Sequence, residues 1–274
     1  MISGSGFARS ELIEKTMEYV RRHVSRHWVG YALVLVCPII SIACTKQLLS
    51  PDSTDAYQYP VKPGTEQWKS LANHEEMLKA CRVPEPILQK MSTAGLVETV
   101  LNYPLYGEIR VHNSPQQGFD AIAEFSGIQE LLSRKDAGSA LLERYRTMDP
   151  AGFGTDSSAA QKGLYTWRFE DIEILLAQET VLANLTEAQR HYLLKEGIAK
   201  YQAKSEHKKF YGMSGKQSVA MLIGRILLRE KPPAFMGCVQ EDVMLQTFLS
   251  KGFLANDSTL EKILAQAQEF LLNK

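Results

Sequence analysis

Apolar residues along this chain fall into two patterns with different physical meanings. From Trp28 to Ala43 the sequence WVGYALVLVCPIISIA is apolar or small almost throughout and carries no charge. Beyond about residue 66, apolar residues return at helical spacing, in stretches separated by capping residues, prolines and glycines. In TAGLVETVLNY, for example, Leu96, Val97, Val100 and Leu101 fall at i, i+1, i+4 and i+5 and make one stripe of a 3.6-residue period. Between Phe169 and Leu185, Ile172, Leu175, Leu176, Val181 and Leu182 mark a longer helix of the same kind.

The polar punctuation predicts where the helices begin. Asn73 with Glu76, Thr186 with Gln189, Ser214 with Gln217 and Ser258 with Glu261 read as four capping boxes, each satisfying two orphan backbone donors. Ser92, Ser126 and Asp136 read as simple caps, Pro84, Pro86 and Pro115 open short helices, and Pro104 and Pro232–Pro233 end others. Alternating β-branched runs are few, so the expected fold class is all-α. Short loops between neighbours predict antiparallel packing, as a helical bundle or an irregular helical array. No fixed-period repeat is present, so a regular solenoid is unsupported. Within residues 66–274 the stretch DPAGFGTDSSAAQKG (149–163) is the one candidate internal break. The helices before it are short, and costly nucleation makes short helices depend on tertiary partners, so 66–274 is expected to fold as one unit.

The first pattern reads as an address. Arg21, Arg22, His23, Arg26 and His27 stand just before the apolar run, and Ser41-Ile42-Ala43-Cys44 ends it. A basic region, a short apolar segment and small residues before a cut site make a secretory signal. Sixteen residues at about 1.5 Å each reach about 24 Å, short of the ~30 Å hydrocarbon core, and Pro38 disfavours a straight spanning helix. Residues 1–43 are therefore expected to be a signal peptide or membrane anchor with a cytoplasmic n-region. Ser41-Ile42-Ala43-Cys44 resembles the lipobox of bacterial lipoproteins, in which the cysteine becomes lipidated and N-terminal. Ser41 departs from the usual Leu, Val or Ile there and suits an ordinary signal peptidase site equally. Met1 and Met17 are both candidate starts, and residues 44–65, rich in Ser, Asp, Thr, Pro and Gly, are expected to be a flexible tether.

Composition sharpens this picture little. The 274 residues are 45% hydrophobic and 23% charged, as expected of a globular chain with a sizeable core. Basic and acidic residues number 31 each, and residues 44–274 hold 26 basic and 28 acidic residues, a net charge of −2. A nucleic-acid partner would call for excess positive charge, and none is expected. Of four cysteines, Cys81 and Cys238 fall in the helical region, where they either pair or act as separate buried thiols; no C-x-x-C occurs.

Candidate chemistry is sparse. His74-Glu75-Glu76-Met77-Leu78 lacks the second histidine of H-E-x-x-H, one helical turn on, that would bring two nitrogens to one metal. Gly212-Met213-Ser214-Gly215-Lys216-Gln217 has two residues between its glycines where a phosphate loop needs four, and Gln217 follows Lys216 in place of a hydroxyl. G-x-S-x-G is absent. No cofactor or metal is therefore expected. His112, His191 and His207 stand among charged residues and are expected at the surface, and Glu170, Asp171, Glu173 and Glu179 read as a solvated helix face. The corner Asn102-Tyr103-Pro104-Leu105-Tyr106-Gly107-Glu108 gathers aromatics and helix breakers, so Tyr103, Tyr106 and Glu108 form the candidate ligand or partner loop. Two function classes stay open. One is a binding module for a protein, peptide or glycan, including a partner of a secreted protein. The other is a hydrolase whose groups would converge from among Glu98, Glu108, His112, Glu170, Asp171 and His191.

The segments YPVKPGTEQWKSL, MLKACRVPEPILQKMSTAGLVETVLNYPLYGEI, GFDAIAEFSGIQELLSRKDAGSALLERY and YGMSGKQSVAMLIGRIL, spanning residues 59–228, resemble an uncharacterised family of exported bacterial helical proteins with lipoprotein-like leaders. MSTAGLVETVLNYPL is the most specific of them. The resemblance implies export and a single helical unit; it carries no activity and no catalytic residue. The expected location is the cell envelope outside the cytoplasm, held by a lipid on Cys44, with a single-pass anchor or free secretion as alternatives. Two or more acyl chains hold a membrane durably at ~0.8 kcal/mol per buried methylene. Replacing Cys44 with Ser should therefore release the protein from the membrane fraction or block its processing, and unchanged fractionation and gel mobility would refute lipidation.

Overall fold

Helical spacing interrupted by strong caps produces, in the computed structural model, an all-α fold described for residues 55–154, 157–253 and 256–274. The apolar run 28–43, Cys44 and residues 45–54 lie outside the described residues. Four short helices, α1 (Glu66–Lys69), α2 (His74–Ala80), α3 (Glu85–Lys90) and α4 (Thr93–Leu101), lead into a 3-10 helix at Tyr106–Val111. Three more follow: α5 (Pro115–Ile122), α6 (Ser126–Ser133) and α7 (Ala137–Arg146). The second half contains α8 (Ala159–Leu176), α9 (Glu179–Asn184), α10 (Glu187–Glu206), α11 (Lys208–Tyr211) and α12 (Ser214–Glu230). It closes with α13 (Pro233–Glu241), α14 (Val243–Lys251) and α15 (Asp257–Leu272).

The caps explain most of these boundaries and correct three. Asn73 accepts from the Glu76 N–H at 3.0 Å, and Thr186 with Gln189 forms a complete capping box on α10. Ser126, Ser214 and Ser258 are not caps. They lie inside the first turns of α6, α12 and α15, which begin after Phe125, Met213 and Asn256. Asn256 has the extended backbone a cap needs and accepts from the Thr259 N–H, so it pre-empts Ser258. A box the sequence did not announce, Ser158 with Gln161, starts α8 within the expected break at 149–163. The single helix expected between Phe169 and Leu185 is two, because Gln178 turns extended and begins α9.

Helix directions follow from end-to-end contacts. Arg190 near the start of α10 bonds Glu230 at the end of α12, while Lys204 near the end of α10 bonds the Gly215 carbonyl at the start of α12. These two helices are antiparallel. Ser214 and Ser218 of α12 reach Glu170 and Glu173 of α8, and Arg225 donates to the Ala177 carbonyl just beyond α8, so α8 runs parallel to α12. Parallel and antiparallel neighbours on one helix make an irregular array, not an up-and-down bundle. From Ser218 to Gly224, α12 is buried without a break, as expected of a helix hydrophobic on every side.

The described residues belong to one compact unit. Its core runs from Val97 and Ile128 through Leu141 and Leu175 to Phe248 and Ile263. The Tyr145 hydroxyl donates to Glu173 across the stretch 149–163, and within that stretch the Pro150 carbonyl accepts from Tyr211. Residues 55–59 correct the tether boundary. Asp55 bonds the N–H and hydroxyl of Ser92 at the start of α4, the Tyr57 N–H donates to Thr99, and Tyr59 is buried. Apolar rings in this segment outweigh the Pro and Gly content that reads as a tether. Cys81 and Cys238 are both free thiols. Since the α7–α8 and α5–α14 contacts join the halves, residues 66–148 expressed alone should lack a cooperative melt. Native-like helical circular dichroism with a sharp transition in that fragment would refute the single-core account.

Candidate functional site

Glu170, Asp171 and Glu173 are not a solvated face. All three are buried, because α8 is enclosed by its neighbours from Phe169 to Leu176. Glu173 and Lys204, both with 0% side-chain exposure, pair at 2.6 and 2.7 Å through both carboxylate oxygens. The third ammonium proton goes to the Gly215 carbonyl at 2.9 Å, and the charge sits 5.1 Å and 5.3 Å from the Phe169 and Tyr211 ring centroids. Tyr145 donates to one Glu173 oxygen at 2.8 Å and Ser218 to the other at 2.5 Å. Every donor and acceptor in the cluster is therefore engaged, the condition under which burying charge is tolerable. Burial pulls the Lys204 ammonium below the usual lysine range, against the opposing attraction of Glu173. The clue in the sequence was the apolar flank: Glu173 stands between Ile172 and Ile174 and ahead of Leu175 and Leu176.

One turn earlier a second cluster forms around Arg110 of the 3-10 helix. Its guanidinium pairs with Asp171 at 2.7 Å and Glu170 at 3.5 Å and lies 4.7 Å from the Trp167 ring centroid. Burial pushes the Asp171 carboxyl up to about 7, outweighing the attraction of Arg110. Burial likewise raises Glu170, against Arg110 and the Ser214 hydroxyl bonded at 2.9 Å. Glu179, by contrast, is exposed at the start of α9, where it pairs with Arg229.

The corner 102–108 divides. Both tyrosines are buried, Tyr106 3% and Tyr103 6% exposed, and Tyr106 donates its hydroxyl to the Asp171 backbone carbonyl at 3.1 Å. Tyr103 and Glu108 instead line a groove of about 590 Å³ between α2 and the α5–α6 corner. Its floor is Tyr103 stacked on Phe125, ring centroids 3.8 Å apart and planes 9° from parallel. On the α2 side stand His74, Leu78 and Arg82, with Glu108 accepting from or pairing with His74 Nδ1 at 3.2 Å. Glu124 and Gln129 border the other side. The Ser126 hydroxyl, displaced from the capping role, is buried without a hydrogen-bond partner and also lines the groove. Gly118 sets this geometry: a Cβ there would lie 2.1 Å from the Ile109 carbonyl oxygen, so its absence lets α5 close on the 3-10 helix.

The remaining candidates are dispersed. Glu98 is buried and paired with Arg144, and His112 ends the 3-10 helix half-buried. His191 is half-buried beside Glu187 and Glu230, the one group of side chains among the described residues placed to hold a metal ion. Glu170 and Asp171 come together, but the histidine–carboxylate pairs among the described residues are His74–Glu108 and His191 with Glu187 and Glu230. Comparison with known proteins adds nothing to this geometry: the chain matches no family model, no curated protein and no solved structure.

The raised Asp171 has a sign that can be measured. Between its ordinary value of 3.8 and about 7 the folded state holds a proton that the unfolded state has lost. Stability from this group therefore falls as pH rises through that window and is flat above it. Asp171→Asn removes the effect, so the melting temperature of wild type relative to the variant should decline from about pH 5 to about pH 8. Asp55 and Asp242, whose hydrogen-bonded carboxylates are held low, change charge only below 3.8 and add no trend across this range. A difference constant across that range would refute a protonated Asp171.

Proposed function

We propose that the protein is a binding module of the cell envelope that captures a segment of a partner protein in the groove between α2 and the α5–α6 corner. The observation that carries this reading is the groove itself. It has a stacked aromatic floor, an unpartnered hydroxyl and mixed charges at its rim, the combination of apolar contact and few polar anchors typical of ligand sites. Its α2 wall contains no fully buried residue and leaves Leu78 exposed toward the opening. The buried ionisable groups favour binding over catalysis, because Glu98 and Glu173 are each committed to an internal cation. Export through the segment ending at Cys44, and retention by a lipid there, belong to the same proposal. Among the described residues no helix is long and apolar enough to cross a membrane.

One observation favours the alternative of a hydrolase: His74 and Glu108 pair inside the groove, as an acid–base couple would. The two readings separate by mutation in a strain deleted for the gene. Leu78→Asp with Arg82→Glu changes two exposed groove residues and should abolish function while leaving the melting temperature within about 2 °C, as surface changes do. Glu108→Gln should retain most function. If Glu108→Gln alone abolishes function with folding intact, the binding reading fails and the hydrolase stands.

A further inference from the structure

Far along the chain from the groove residues, α10 and α12 bring three metal-ligating side chains to one point. Glu187 and His191 are one turn apart on α10, and Glu230 is the last residue of α12. His191 Nε2 lies 3.4 Å from Glu230 Oε2 and 3.8 Å from Glu187 Oε1, and all three donor atoms lie within 4.8 Å of one another. Donors held about 2.0–2.2 Å from one ion at tetrahedral angles stand roughly 3.3–3.6 Å apart, so little movement is needed to share one. The ligands are held from behind. Arg190 donates to the other Glu230 oxygen at 2.5 Å and to the Leu185 carbonyl, which turns Oε2 toward His191. The His191 ring packs edge-on against Phe270, centroids 5.4 Å apart. Such outer contacts are what orient ligands in metal sites.

A cation already occupies this position. The Lys274 ammonium bonds Glu187 Oε1 and lies 3.3 Å from His191 Nε2, bridging two of the three donors. Glu230 and Lys274 also border a cleft of about 350 Å³ beside Phe270.

We propose that Glu187, His191 and Glu230 form a site for a divalent first-row transition-metal ion, with Lys274 as the cation that the metal displaces. One imidazole with two carboxylates suits zinc, cobalt or a similar borderline ion better than the harder magnesium or calcium. The ion fastens the start of α10 to the end of α12, on the opposite end of that antiparallel pair from Lys204.

The test uses the metal-stripped full chain, titrated with Co²⁺ by visible absorption and with Zn²⁺ by calorimetry. One equivalent of either ion should bind, and Zn²⁺ should raise the melting temperature. Glu187→Gln, at an exposed residue that does not threaten folding, and His191→Ala should each weaken binding by about tenfold or more. Lys274→Met should tighten it, an outcome that a merely structural salt bridge would not produce. His74→Ala should leave affinity unchanged, which separates this site from the groove. No stoichiometric binding, or undiminished affinity in Glu187→Gln and His191→Ala, overturns the assignment.

Discussion

Where α8, α10 and α12 meet, an ammonium and a carboxylate share a space from which water is excluded, and the helix arrangement depends on their pairing. Removing one partner of such a pair costs about 3–5 kcal/mol, because a buried charge is left unpaired, whereas replacing both by apolar groups of similar size costs far less. The effect of Glu173 and Lys204 is therefore felt mainly as register. If α8 turned about its axis, Glu173 would leave Lys204, Tyr145 and Ser218 together, stranding four buried polar groups. The three long helices have one mutual rotation that avoids this. Tyr145 extends the same constraint to α7, and so to the half of the chain that builds the groove.

The Arg110 cluster transmits that register outward. Arg110 and Tyr106 both hold Asp171, one through its carboxylate and the other through its backbone carbonyl, and so fix the 3-10 helix on α8. Tyr106 is held at Asp171, while Tyr103, also buried, stacks on Phe125. The row of rings continues through Tyr59 to Tyr57, tying residues 55–59 to the groove floor. The buried charges are thus structural, yet through Asp171 they help to set how the 102–108 corner meets the groove.

Much of this was legible in the sequence, and the failures share a cause. Helix class, most starts and the Pro stops followed from local chemistry: Asn73, Thr186 and Ser92 need no tertiary information to cap a helix. The carboxylates of α8 were misread because a helix with several acidic residues normally turns them to water, and enclosure by neighbours is invisible to periodicity. Ser214 was misread for the same reason, since its hydroxyl is committed to Glu170 across the helix pair. The corner 102–108 was recognisable by composition, but the separate partners of its tyrosines, Asp171 for Tyr106 and Phe125 for Tyr103, depended on tertiary packing. Glu187 and His191 show helical spacing in the sequence, yet their third partner stands on another helix, and no local motif could reveal it.

The groove and the polar core also differ in how firmly they are held. α1 and α2 contain no fully buried residue, and α3 buries one, Leu88. Elements with so little burial open at low free-energy cost compared with a core helix such as α12. One wall of the groove, the α5–α6 corner, closes on the 3-10 helix at Gly118 and buries Phe119, while the α2 wall buries no residue completely. Under the proposed binding reading, the exposed Leu78 and the stacked rings would supply the apolar contact for a partner segment.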